Sequence, residues 1–147
     1  MNKKNCQINL DLTDEVFEFV TKGLGLDKLW TQKYVAIGVW LEEKLIAGIV
    51  FNEIRPRRDV WLTIYTTDKR WCNKRVLRAI FNIAFNFLEC CRASVRIDNT
   101  NTKSQRLVEG LGFKKEGVLR QFEDNGHDSF IYSMLKTECQ WRTKENE

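Results

Sequence analysis

Five cations, Lys69, Arg70, Lys74, Arg75 and Arg78, crowd beside Asp68, just ahead of apolar residues that recur at helical spacing. A helix start leaves its first backbone N–H groups without intrahelical partners and favours negative charge, so this cluster suits a phosphate-bearing ligand. A plain solvated helix start fits the same residues. Asn101 and Ser104 form a second group with chemical capacity. They open a short segment in which Leu107, Val108 and Leu111 make one apolar stripe and Gly112 supplies a left-handed stop. Each can hydrogen-bond a ligand, and each also fits a helix cap and a polar first turn.

Three side chains are candidates to accept a proton: Glu53 near a strand end, Asp59 at the start of the next strand and His127 in the last hairpin. Exposed carboxylates and loop histidines are more often simply solvated. Cys72 lies near a helix start among cations, where a thiol pKa can fall; an ordinary semi-buried thiol is the plainer reading.

The elements that must position these residues follow from periodicity. Over residues 13–22, Val16, Phe17, Phe19 and Val20 predict a helix that begins at Thr13 and Asp14 and stops at Gly23 and Gly25. Residues 34–41 and 45–51 read as strands joined at Glu42, Glu43 and Lys44. Residues 59–67 read as a third, with Val60, Leu62 and Ile64 on one face. Val76, Leu77, Ile80, Phe81, Ala84, Phe87 and Leu88 predict one long helix. Residues 92–97 make a strand, the Asn101 segment a short helix, and Phe113, Val118, Leu119 and Phe122 a strand. The turn residues Asp124, Asn125, Gly126 and His127 then lead into alternating Phe130, Tyr132 and Met134. The expected fold class is α/β (α+β), an antiparallel meander with parallel pairing across the long helix.

At 147 residues and 43% hydrophobic content, the chain suits one domain over 1–147. Its net charge of +4 comes from 24 basic and 20 acidic residues, a near balance that disfavours a general polyanion-binding surface. Arg55, Arg57 and Arg58 near the loop cations keep a nucleic-acid partner as a lesser alternative. No apolar run reaches membrane-span length and no signal segment is evident, so a cytoplasmic protein is expected. Five cysteines without a C-x-x-C pair give no zinc spacing and fit reduced thiols.

The element order, with Leu111-Gly112-Phe113-x-x-Glu116-Gly117-Val118-Leu119-Arg120 after Asn101-x-x-Ser104, resembles the GNAT acyl-CoA N-acyltransferase superfamily over essentially the whole chain. Arg70-Trp71-Cys72, the run from Phe81 to Phe87, and Asp128 through Tyr132-x-Met134-Leu135 to Glu138-Cys139-x-Trp141 look like small bacteriophage-encoded members. For a phage protein the location would be the host cytosol.

The resemblance implies a twisted, mostly antiparallel sheet with splayed central strands. It implies direct acetyl transfer from acetyl-CoA to a primary amine, without a metal. Main chains of Tyr65, Thr66 and Thr67 would pair with the pantetheine arm, and an N–H there would meet the thioester oxyanion. The pyrophosphate would sit on the loop from Lys69 to Leu77, which includes Arg70, Cys72, Asn73, Lys74, Arg75, Val76 and Leu77. Cys72, Arg75 and Leu77 fall where members commonly show R/Q-x-x-G-x-G/A. Asn101 and Ser104 would approach the arm and the sulfur. Val108 occupies the place of a thiolate-protonating tyrosine, so Ser104 or its water becomes the substitute acid. Glu53 stands among the candidate bases. The resemblance also leaves room for a degenerate member that binds protein, and for a homodimer through the final strands.

Overall fold

The computed structural model describes residues 6–144. Its elements are β1 (Gln7–Leu10), α1 (Glu15–Leu24), β2 (Tyr34–Leu41), β3 (Lys44–Arg55), β4 (Asp59–Thr66), α2 (Lys74–Phe81), β5 (Arg92–Asp98), α3 (Thr102–Leu111), β6 (Lys114–Leu119) and β7 (Ser129–Leu135). The strands form one seven-stranded sheet ordered β1-β2-β3-β4-β5-β7-β6. Every junction is antiparallel except β4–β5, the parallel pair bridged by α2. Meander, crossover and final hairpin match the sequence expectation.

Gly25, in the left-handed conformation, ends α1 as expected, whereas Gly23 lies inside its last turn and is no stop. Three further local features differ from the expectation. β1 was not legible: Gln7 and Asn9 are polar and Leu10 is exposed, so this short edge strand shows no apolar alternation. The start of α1 is held by Asp11 rather than by Thr13 or Asp14. Its Oδ2 accepts Val16 N–H at 2.8 Å while Oδ1 accepts the Thr13 N–H and hydroxyl at 2.9 Å. The long helix is also not continuous, for after Phe81 the backbone widens into a π-helical turn over Asn82–Phe87. The C-terminal segment is tied to that turn. Thr143 N–H donates to Asn82 Oδ1 at 2.7 Å, and Asn86 Nδ2 donates to the Thr143 carbonyl at 2.8 Å. The wider turn keeps Ala84 and Phe85 in the core and leaves Phe87 74% exposed.

The helices divide the sheet. Val76, Ile80 and Phe81 of α2 and Val108 of α3 pack with Val60, Leu62, Val95 and Tyr132 on one face. On the other face Val16, Phe17 and Val20 of α1 pack with Ala36 and Val50, and α1 lies against β2, β3 and β4. The β5–β7–β6 portion of that second face carries a polar network instead. Arg92 pairs with Asp59 and Glu116, Ser94 Oγ donates to Asp59 at 2.7 Å, and Ser133 Oγ donates to Glu116 at 2.8 Å.

Candidate functional site

β4 and β5 pair only at Asp59–Arg92, Val60–Ala93 and Trp61–Ser94, although β4 continues to Thr66 and β5 to Asp98. The central strands therefore diverge toward their C-terminal ends. An apolar cavity of about 30 Å³ forms the floor of the gap, walled by Leu62, Ile64, Trp71, Leu77, Val95 and Val108 among others.

Main-chain direction along β4 decides what faces this gap. Thr67 N–H donates to the Ile46 carbonyl at 2.9 Å, and Tyr65 sits opposite Gly48 in the same unbroken register, so Tyr65 and Thr67 turn their polar groups toward β3. Alternate residues of an antiparallel strand point the other way, which turns Ile64 and Thr66 toward the gap beyond the last β5 rung. Of Tyr65, Thr66 and Thr67, only Thr66 presents its main chain to the opening. Ile64 joins it, a residue that sequence reading missed because its side chain registers only as core. The Tyr65 ring meets Phe19 edge-on at 5.2 Å between centroids.

The loop after β4 brings Arg70, Cys72, Asn73, Lys74, Arg75, Val76 and Leu77 to the start of α2. Arg70 is engaged within the loop by Asp68, at 2.7 Å. The Arg70 guanidinium and N–H hold the Asp68 carboxyl down to about 2. Burial pushes the Cys72 thiol up, opposite to the lowering that nearby cations would give. Asn73 Oδ1 caps the helix by accepting Val76 N–H at 3.0 Å. Lys74 and Arg75 N–H have no protein acceptor among the described residues. Arg75 extends its guanidinium to the Cys6 carbonyl at 2.6 Å, while Val76 and Leu77 bury their side chains in the core. The bulky residues that replace small ones in this loop thus have their own partners, and two main-chain donors remain at the helix mouth.

The mouth of α3 lies beside the end of β5. Asn101 N–H donates to the Asp98 carbonyl at 2.9 Å, and Asn101 Oδ1 accepts Ser104 N–H at 3.1 Å, which makes Asn101 the helix cap. Ser104 is half-buried, with no protein partner for its hydroxyl among the described residues. Val108, one turn further, is buried in the cavity wall and offers no proton.

The proton-acceptor candidates separate widely. Glu53 lies at a bulge beside the β3–β4 turn with φ 48°, whereas Ala47 is the β3 residue opposite Thr66. At about 3.3 Å per residue, Glu53 stands roughly 20 Å along the sheet from the open ends, so it does not gather with Asn101 and Ser104. Asp59 is at that same closed end, engaged by Arg92 and Ser94. His127 is at the open end, its Nδ1 3.1 and 3.2 Å from the two Asp98 carboxylate oxygens.

No protein-family model matches the chain. It is 30% identical over 101 residues to the uncharacterized N-acetyltransferase YoaA of Bacillus subtilis (strain 168), a match that takes in 64% of this chain and 57% of that protein. The chain thus spans a little over half the length of that curated relative. Among solved structures, spermidine N-acetyltransferase from Vibrio cholerae in complex with CoA and spermine superposes with a TM-score of 0.73 at 12% identity, covering 92% of this chain and 98% of that one. A dodecameric structure of spermidine N-acetyltransferase from Vibrio cholerae gives 0.72 at 14% identity, covering 92% and 96%. This chain shares the fold of those acetyltransferase structures: a mixed, mostly antiparallel seven-stranded sheet flanked by helices.

Proposed function

We propose that the chain is a GNAT N-acetyltransferase of one domain that transfers acetyl from acetyl-CoA directly to a primary amine. The observation that carries this is the divergence of β4 from β5 after three rungs, with two capped helix starts at the open end. The N-acetyltransferase relative and the neighbour bound to CoA and spermine support it.

In this reading the pyrophosphate rests on Lys74 and Arg75 N–H at the mouth of α2, inside the loop that includes Arg70, Cys72, Asn73, Val76 and Leu77. The pantetheine arm enters the gap along Ile64 and Thr66, whose main chains supply the missing strand partner and a donor for the thioester oxyanion. Such a donor is worth about 2.7–4 kcal/mol in other enzymes. Asn101 fixes the start of α3, and Ser104 offers a hydroxyl to the departing sulfur. The finer likeness to small phage-encoded proteins and a cytoplasmic location belong to this proposal too.

Isothermal titration with acetyl-CoA tests it. Saturable binding by the folded chain is expected, followed by amine acetylation in a screen of spermidine, lysine and free-amino-terminal peptides. Absence of heat from a folded sample overturns it.

A further inference from the structure

Deprotonation of the acceptor has no candidate left at the closed end of the sheet, and the open end holds one pair built for it. We infer that His127, oriented by Asp98, removes the proton from the acceptor amine; this rests on the acetyltransferase proposal above.

Asp98 is the last residue of β5, and its carboxylate collects donors from three directions. Asn125 Nδ2 donates at 2.9 Å, Thr100 N–H and hydroxyl at 2.8 and 2.7 Å, and His127 Nδ1 lies at 3.1 Å. These bonds, led by that of Asn125, hold the carboxyl far below its ordinary range. An ionised carboxylate is acceptor-only, so the neutral imidazole must place its hydrogen on Nδ1 and leave the Nε2 lone pair free. The His127 side chain is 43% exposed, and its backbone N–H donates to Asn125 Oδ1 at 2.9 Å, which fixes the turn.

Position joins this pair to the transfer site. The Asp98 residue that holds the imidazole also accepts Asn101 N–H through its carbonyl, so histidine and α3 mouth share one anchor. α2 and α3 close one face of the gap, and α1 packs on the other against β2, β3 and β4. An amine acceptor would enter from the second face at the end of β5, beside the Arg96 side chain stacked between Trp61 and Phe122. Asp98 from β5 is the charged group that meets the imidazole; Glu123, Asp124 and Asp128 belong to the same connection, Asp128 accepting Gln121 N–H at 2.8 Å, and Arg96, two residues before Asp98 on β5, lies over the Trp61 and Phe122 rings.

The acceptor ammonium gives a proton to Nε2, and its nitrogen forms the C–N bond to the thioester carbon. The C–S bond breaks as the nitrogen gives up its second proton, which passes through Ser104 or its water to the CoA thiolate, and the imidazolium returns the first proton to solvent. Alkyl amines have reference pKa values near 10.4, so few are neutral at pH 7 and a base is needed.

His127 is the chain's single histidine, which makes imidazole ¹⁵N NMR unambiguous. The neutral ring is expected to carry hydrogen on Nδ1, and Asp98→Asn to mix the tautomers. With acetyl-CoA and whichever of spermidine or a free-amino-terminal tetrapeptide is acetylated, His127→Gln is expected to lower kcat/KM about 10²-fold or more. The acidic limb of its pH profile should vanish while calorimetric CoA affinity stays. Hydrogen on Nε2, or a His127→Gln variant with wild-type rate and profile, overturns the assignment. A wild-type chain that binds no acetyl-CoA overturns the transferase proposal and this one together; CoA binding with a fully active His127→Gln overturns this one alone.

Discussion

The Tyr65 ring occupies the space that a side chain at Gly23 would need: a Cβ there would stand 2.3 Å from Tyr65 Cδ2 and 2.5 Å from Cγ. The last turn of α1 is thereby seated on the strand end that borders the gap. Glycine inside a helix costs up to about 1 kcal/mol relative to alanine, so this close approach accounts for a residue the helix alone would reject.

Gly23→Ala is consequently expected to destabilise despite its better helix propensity. Overpacking of this kind costs about 1–3 kcal/mol. Urea denaturation should show a lower midpoint, and calorimetry a weaker acetyl-CoA affinity as the strand end shifts. Adding Tyr65→Leu should recover most of the stability. An unchanged midpoint in the single variant would mean that the ring moves aside freely.

Proline distinguishes the two sides of β4. Tyr65 N–H is directed into the β3 ladder, so Tyr65→Pro should remove a ladder hydrogen bond and lose about 1–3 kcal/mol of stability. Ile64 N–H faces the gap, so Ile64→Pro should stay closer to wild type in a melt yet lose about 10²–10³-fold in kcat. Equal stability losses in both would refute the assigned directions.

Ser104→Ala removes a half-buried hydroxyl without a protein partner among the described residues, and the melting temperature should barely move. A fall in kcat of about 10²-fold, with KM for acetyl-CoA kept, is expected if the hydroxyl serves the leaving thiolate. Asn101→Ala should instead lower stability by about 0.5–2 kcal/mol through loss of the cap.

Acid should weaken the fold in a defined window. Arg70 holds the Asp68 carboxyl down to about 2, against 3.8 for the free group. A depressed folded-state pKa gives stability that is present above the unfolded value and lost as pH falls through the folded one. Glu116, bound by Arg92, is displaced in the same direction. Urea midpoints measured from pH 5 to pH 2 should decline, and Asp68→Asn should flatten part of the decline. A flat wild-type curve would contradict these pairings.

Thiol labelling tests the loop environment. Cys91 is exposed, whereas burial raises Cys72 and leaves it less thiolate. Iodoacetamide at pH 8 should modify Cys91 first, with peptide mapping as the readout. Faster reaction at Cys72 would show an electropositive, activated thiol instead.

Most elements were legible because their apolar residues keep one period, as Val60, Leu62 and Ile64 do at alternate positions. The break after Phe81 was not, since Ala84, Phe87 and Leu88 continue the helical spacing, and the widened turn's partner, Thr143, lies some sixty positions away in the chain. At the site, cap residues such as Asn73 and Asn101 could be read from local pattern alone. The roles of Ile64 and Thr66 could not, because register against β3, rather than residue type, decides which way a peptide group points. The meeting of Asp98 with His127 spans 29 positions in the chain, and nothing in either neighbourhood announces it.

Three rungs are all the ladder that joins β1–β4 to β5–β7–β6. A molecule lodged between the two leaves would act as a rivet, stitching with its own amides a seam that the polypeptide leaves unsewn. Occupancy should then be visible far from the chemistry, as slower amide deuteration along the facing borders of β4 and β5 and as one sharper melting event for the entire sheet.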